Sequence, residues 1–143
     1  MENLHVRLND TKDVITNMSD SDKLKTLNTC IEIFTLWDIS KLDQSILLSS
    51  FNTNRTTYWK LNWIESQDDN AVLRAHYIIK IYILLKLLYP EKHQQLTWLK
   101  TVQKELNHFS PSLLMMQENN AYFLLILETL NQQLKQRVNE LTH

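Results

Sequence analysis

Apolar residues recur along this chain at helical spacing, and strict alternation is nowhere sustained. Leu24, Leu27, Ile31 and Phe34 follow one another at steps of three, four and three, which is one face of a helix that Asp20 or Asp22 can cap. Ser40, with Asp43 three residues on, is a capping-box start for a helix over Lys41–Ser50 that buries Leu42, Ile46 and Leu47. Phe51-Asn52-Thr53-Asn54 predicts a turn, and a third helix follows over Asn54–Glu65. Residues 71–89 are apolar on almost every side, the pattern of a central bundle helix, and Pro90 stops it. Glu91–Leu106 predicts a fifth helix with Leu96, Leu99 and Val102 on one face. Asn107-His108-Phe109 is a turn, and Ser110-Pro111 is an N-cap followed by proline at the first helical position. Asn119 or Asn120 caps a last helix to about Glu140. It is apolar all round over Tyr122–Leu127 and then keeps only the stripe Leu127, Leu130, Leu134, Val138 and Leu141.

These elements predict an all-α fold, a compact multi-helix bundle. Residues 1–18 are polar without a sustained period and predict a flexible N-terminal arm. Residues 19–89 form a helix-turn-helix-like region, and 90–143 a C-terminal helical region packed with it as one unit. The length of 143 residues suits one domain.

Composition sharpens this reading mainly through an absence: there is no glycine. Phosphate-cradling loops, dinucleotide fingerprints and nucleophile elbows need glycine where the backbone turns sharply or approaches a ligand, so their usual forms are excluded. The net charge is −1, which excludes a bulk polycation that would hold nucleic acid without specificity. Charge is uneven, acidic up to residue 70 and basic beyond it. One cysteine, Cys30, excludes an internal disulfide. The first residues lack the basic-then-apolar order of a signal peptide, and Ile78–Tyr89 is too short and too charged to span a bilayer. A cytoplasmic protein without membrane contact is expected.

Candidate chemistry is sparse. No two of the five histidines share a helical turn, and the Glu105/His108 pair lacks two further ligands for a metal. Cys30 reads as a small buried hydrophobe, and Asp68-Asp69 as helix caps. No catalytic group, metal or cofactor is expected. The unit 41–65 has the helix-turn-helix pattern, which would bring Arg55, Thr56, Thr57, Tyr58 and Lys60 to DNA. An ordinary helical hairpin fits it as well, and the acidic first half favours the hairpin. The stripe Leu130–Leu141 serves equally as core, as a dimer seam or as a face for another protein's groove. Trp98, Phe109, Met115 and Tyr122 would suit an interface, although burial statistics favour the core for each.

The order of features resembles a known family. Leu36-Trp37-Asp38-Ile39-Ser40, then Asp43-Gln44-Ser45-Ile46-Leu47-Leu48, then Arg55-Thr56-Thr57-Tyr58-Trp59 resembles the helix-turn-helix half of Xre/MbcA/ParS-type antitoxins. The helix from Arg74 to Tyr89 resembles that family's long central helix with its leading arginine. Trp98-Leu99-Lys100, then Phe109-Ser110-Pro111-Ser112-Leu113-Leu114, then a long last helix resembles its toxin-binding domain. The similarity covers about residues 34–137. Where the family carries glycines, this chain reads Ser49-Ser50 and Asn107-His108-Phe109.

The resemblance implies a non-enzymatic antitoxin, usually a homodimer, that blocks a protein toxin by covering its active site. The commonest partner is a RES-domain toxin that degrades NAD. It also implies autoregulation at operator DNA. By this analogy toxin contact falls on Trp98, Leu99, Pro111, Leu114, Met115, Lys135 and Arg137. A transcriptional regulator without a toxin and a helical adaptor are the alternatives.

Overall fold

A computed structural model describes residues 4–48 and 69–142. Among these residues the chain is helical, with no strand. In chain order the helices are α1 (Leu4–Thr16), α2 (Asp20–Leu36), α3 (Lys41–Leu47), α4 (Asp69–Leu88), α5 (Lys92–Lys100), α6 (Pro111–Met115) and α7 (Ala121–Thr142), with a 3-10 turn at Lys104–Leu106. The all-α expectation holds. The turn at 51–54, the helix over 54–65 and the five residues predicted to meet DNA (Arg55, Thr56, Thr57, Tyr58 and Lys60) lie outside the described residues.

The all-round apolar character of α4 dictates its place. Ala71, Val72, Leu73, Ala75, Tyr77, Ile78, Ile81, Leu85 and Leu88 are all buried, and α1, α2 and α7 pack around them. Each fully buried large apolar side chain contributes about 1.5–3 kcal/mol, so this one helix organises the core. Helix α7 runs parallel to α4. Arg74 meets Asn120 near their starts, and Arg137 donates to the Leu88 carbonyl near their ends. Phe123, Ile126 and Leu130 face inward. Beyond them the stripe runs out into solvent: Leu134 is half-buried, Val138 is 50% exposed and Leu141 81%.

Three local expectations change. The predicted arm is helix α1, which packs on α4 and α7, buries Ile15 and pairs Arg7 with Glu128 at 2.7 Å. A helix this short and polar is marginal alone, so its sequence carries little signal and packing completes it. The cap of α2 is Ser19, whose hydroxyl accepts from the Asp22 amide at 3.1 Å. Asp20 and Asp22 instead occupy the first turn, where the helix dipole favours negative charge. Third, α5 stops at Lys100, because the chain turns extended at Thr101 and loops back through a bridge between Gln103 and Phe109. Val102 is left 60% exposed.

Other boundaries follow the side chains that make them. The Ser40 hydroxyl accepts from Asp43 and that of Ser110 from Leu113, each at 3.2 Å, with Pro111 opening α6. In α3 Leu47 is buried as expected, but Leu42 is 57% exposed and Ile46 half-buried. Gln44 and Ser45 turn inward instead, each bonded to a nearby carbonyl, at Ile39 and Lys41 respectively.

The missing glycines leave a geometric trace. Asp38, Asn107 and His108 adopt positive φ of 56°, 54° and 65°. Asp38 closes α2 in a Schellman arrangement: its amide donates to Thr35 and that of Ile39 to Phe34. Aspartate, asparagine and histidine enter this region more readily than other side chains do.

Candidate functional site

One buried cation holds together two walls of a recess in the protein. Arg74 is wholly buried in α4, yet among the described residues it is paired with no carboxylate. Its Nε donates to the Leu47 carbonyl at 2.6 Å, and its Nη2 to the Met115 carbonyl at 2.6 Å. Its Nη1 reaches the Gln117 carbonyl at 3.0 Å and Asn120 Oδ1 at 2.8 Å. Asn120 in turn donates to Asn70 Oδ1 at 2.9 Å, and the guanidinium lies over the Phe123 ring at 4.7 Å. Leu47 and Met115 close α3 and α6, so the charge faces the negative ends of two short helices. Burial lowers the Arg74 pKa to about 10, opposed by the nearby charge of Glu118. The group stays protonated at neutral pH.

Held in this way, α3 and α6 form two walls of a cleft. The corner between α2 and α3 and the side of α5 complete it. Trp37 anchors the corner: its Nε1 donates to buried Gln95 Oε1 at 3.0 Å, and Gln95 Nε2 donates to the Tyr89 carbonyl at 3.0 Å. Tyr82 meets the Trp37 ring edge-on at 5.8 Å. The cleft encloses about 360 Å³. Its apolar lining includes Ile39, Leu47, Leu96, Leu99, Met115 and Met116. Asp38, Asp43 and Lys100 are its charged groups, and Asp38 also pairs with Lys92 at 2.5 Å.

This chemistry suits binding. The cleft holds serine hydroxyls but neither histidine nor cysteine to activate them. Cys30 is fully buried elsewhere, and burial pushes its thiol well above the ordinary range. No group of three or more metal-ligating side chains occurs among the described residues, and Glu105 and His108 are both exposed. No helix among those residues is long and apolar enough to cross a membrane.

The residues expected to meet a toxin fall in different places. Leu99 and Met115 come together in the cleft, but mostly as its floor, 4% and 2% exposed. Pro111 and Leu114 are buried beneath α6 and take no part in the lining. Trp98 faces the other side of α5, where its Nε1 donates to Gln133 Oε1 at 3.1 Å. Arg137 lies over the Tyr89 ring at 5.4 Å, and Lys135 is exposed. As a set, then, these side chains are no open contact surface. Five are buried because they fasten α5 and α6 to the body. Of the other aromatic candidates, Tyr122 is half-buried and Phe109 is 48% exposed.

Sequence reading missed the Arg74 hub as a structural device. The available signal was an arginine inside a helix apolar on all sides. The pairing of Trp37 with Gln95, 58 residues apart, has no local signal. No protein-family profile matches the chain, and neither a curated protein nor a solved structure matches it.

Proposed function

We propose that this protein is an antitoxin that neutralises a partner protein toxin by direct contact, using the α2–α3/α5–α6 cleft as its docking recess. The observation that carries the reading is the cleft itself: an apolar floor, a charged rim and no catalytic pair. Such a recess takes an apolar anchor side chain from a protein partner. The antitoxin class, a RES-type toxin and occlusion of its active site come from the resemblance to Xre/MbcA/ParS-type antitoxins.

The test is a growth assay with the product of the adjacent reading frame, expressed alone and with this protein. The reading expects the neighbour to arrest growth alone and the pair to grow. Leu96→Glu with Met116→Glu, at two partly exposed cleft positions, should abolish protection while leaving the helical circular dichroism intact. A harmless neighbour, or toxicity this protein does not relieve, would overturn the proposal. Protection retained by the double variant would remove the cleft from it.

A further inference from the structure

The far end of α7 carries an apolar stripe that no other described element covers. From Leu124 one row of positions steps by three and four residues, through Leu127, Asn131, Leu134 and Val138 to Leu141. That is the spacing of a helix–helix seam. Leu124 and Leu127 are buried, Leu134 is half-buried, and Val138 and Leu141 are exposed. The adjacent helix adds to the uncovered surface, because Ile83 and Leu87, one turn apart on α4, are exposed as well. An apolar patch that runs along two parallel helices in this way marks an interaction surface.

Further down the same seam the surface becomes concave. Helix α1 lies across α4 and α7 there and pairs Arg7 with Glu128. Beside it is a recess of about 470 Å³. Ile83, Leu84 and Leu127 form its apolar wall, Asn131 stands on its α7 side, and α1 supplies polar groups. One surface therefore holds a protruding leucine, Leu141, and an apolar recess further back along the same helix.

The two are placed symmetrically about position 136. Leu134 and Val138 lie two residues to either side of it, and Asn131 and Leu141 five to either side. Turned end for end about that point, the stripe lays Leu134 of one helix on Val138 of another. It also brings Leu141 to the level of Asn131, at the mouth of the recess. We propose that a second copy of this chain docks here, with the two α7 helices antiparallel and each Leu141 seated in the other copy's recess against Ile83, Leu84 and Leu127. A surface that carries both the knob and the hole, in one register, is self-complementary, as a two-fold interface must be. The direction follows from α1. A parallel partner would run its lower turns beside residues 124–128, where α1 already lies. An antiparallel partner brings only its tip to that place. This surface shares no lining residue with the α2–α3/α5–α6 cleft.

Sedimentation equilibrium of the full chain, from about 5 to about 200 µM, tests the pairing. The apparent mass should rise toward twice the 17.1 kDa of one chain. Val138→Glu and Leu141→Glu, both at exposed positions, should each raise the dimer dissociation constant at least tenfold with the helical circular dichroism unchanged. Leu42→Glu, at an exposed leucine on α3, should leave it unchanged. Direction is read by disulfide formation between Asn131→Cys and Leu141→Cys proteins. The mixture should cross-link and neither variant should link to itself, because like positions lie about 15 Å apart in the antiparallel pair. The native Cys30 is fully buried. A monomer throughout the concentration range overturns the proposal. So does a dimer that Val138→Glu and Leu141→Glu leave intact, or one that Leu42→Glu weakens equally. Self-linking of either cysteine variant, or no link in the mixture, overturns the antiparallel seating.

Discussion

Arg74 and Tyr77 stand one helical turn apart on α4, both are buried, and both bear on the ring of Phe123. Their surroundings are opposite. Around Arg74 every acceptor is a chain end: two short helices and the turn before α7 deliver carbonyls and an amide oxygen to one guanidinium. Around Tyr77 three helices meet side-on, their backbone groups already spent within each helix, and the hydroxyl is left with a side chain, Thr11 of α1, as its neighbour. The difference teaches where a helical bundle can satisfy a buried polar group. Helix ends have free carbonyls to offer and helix sides have none. A polar group buried at a junction of ends is therefore served by backbone, and one buried against sides depends on neighbouring side chains.

The strongest way to break this comparison is Arg74→Met. It keeps an apolar stem but strips four acceptors of their donor, so urea unfolding should show a loss of about 3–5 kcal/mol. A loss under about 1 kcal/mol would mean that water serves those carbonyls and the hub does not exist. Tyr77→Phe, three residues away, should cost far less, about 1 kcal/mol or under, because it removes a single side-chain contact with Thr11. A loss as large as that of Arg74→Met would show that helix sides serve a buried polar group as well as helix ends do.

Smaller still is the effect expected at the turn before α6. His108→Gly relieves a side chain held at φ 65° and should add about 0.5–1 kcal/mol, read from the shift in urea midpoint. A decrease would mean the histidine side chain contributes contacts that outweigh its backbone cost.

The subtlest test concerns His76, between the two compared residues. Burial, and then the charge of Lys80, lower its pKa from the ordinary value of 6.5. The native state therefore resists protonation that the unfolded chain accepts. The associated stability is complete above pH 6.5 and is lost as pH falls through the lowered native value. Unfolding free energy should decline over that acidic range, and His76→Gln should flatten the decline. An equal decline in the variant would assign it to carboxylates instead.

Helix existence was largely legible in the sequence, because apolar spacing and cap chemistry are local. Ser40, Ser110-Pro111 and Pro90 mark their boundaries with a hydroxyl, a fixed φ or a missing amide, and each acts within a turn of its own position. The all-round apolar run of α4 announced its central place for a comparable reason: no face of it could stay in water. Even the turn at 107–108 was marked, by residues that tolerate positive φ in a chain without glycine.

What lay beyond reading was decided by contacts distant in sequence. Helix α1 owes its order to a groove built by residues more than fifty positions later. The residues of the cleft span Trp37 to Met116, and no spacing rule joins them. Whether Leu99 faces a partner or the floor of a recess depends on where α6 is pinned, and Arg74 pins it from another helix. Local chemistry determined which segments are helices. Only the packed structure determined which polar groups found partners, because hydrogen-bond satisfaction in a core is a property of neighbours and not of sequence position.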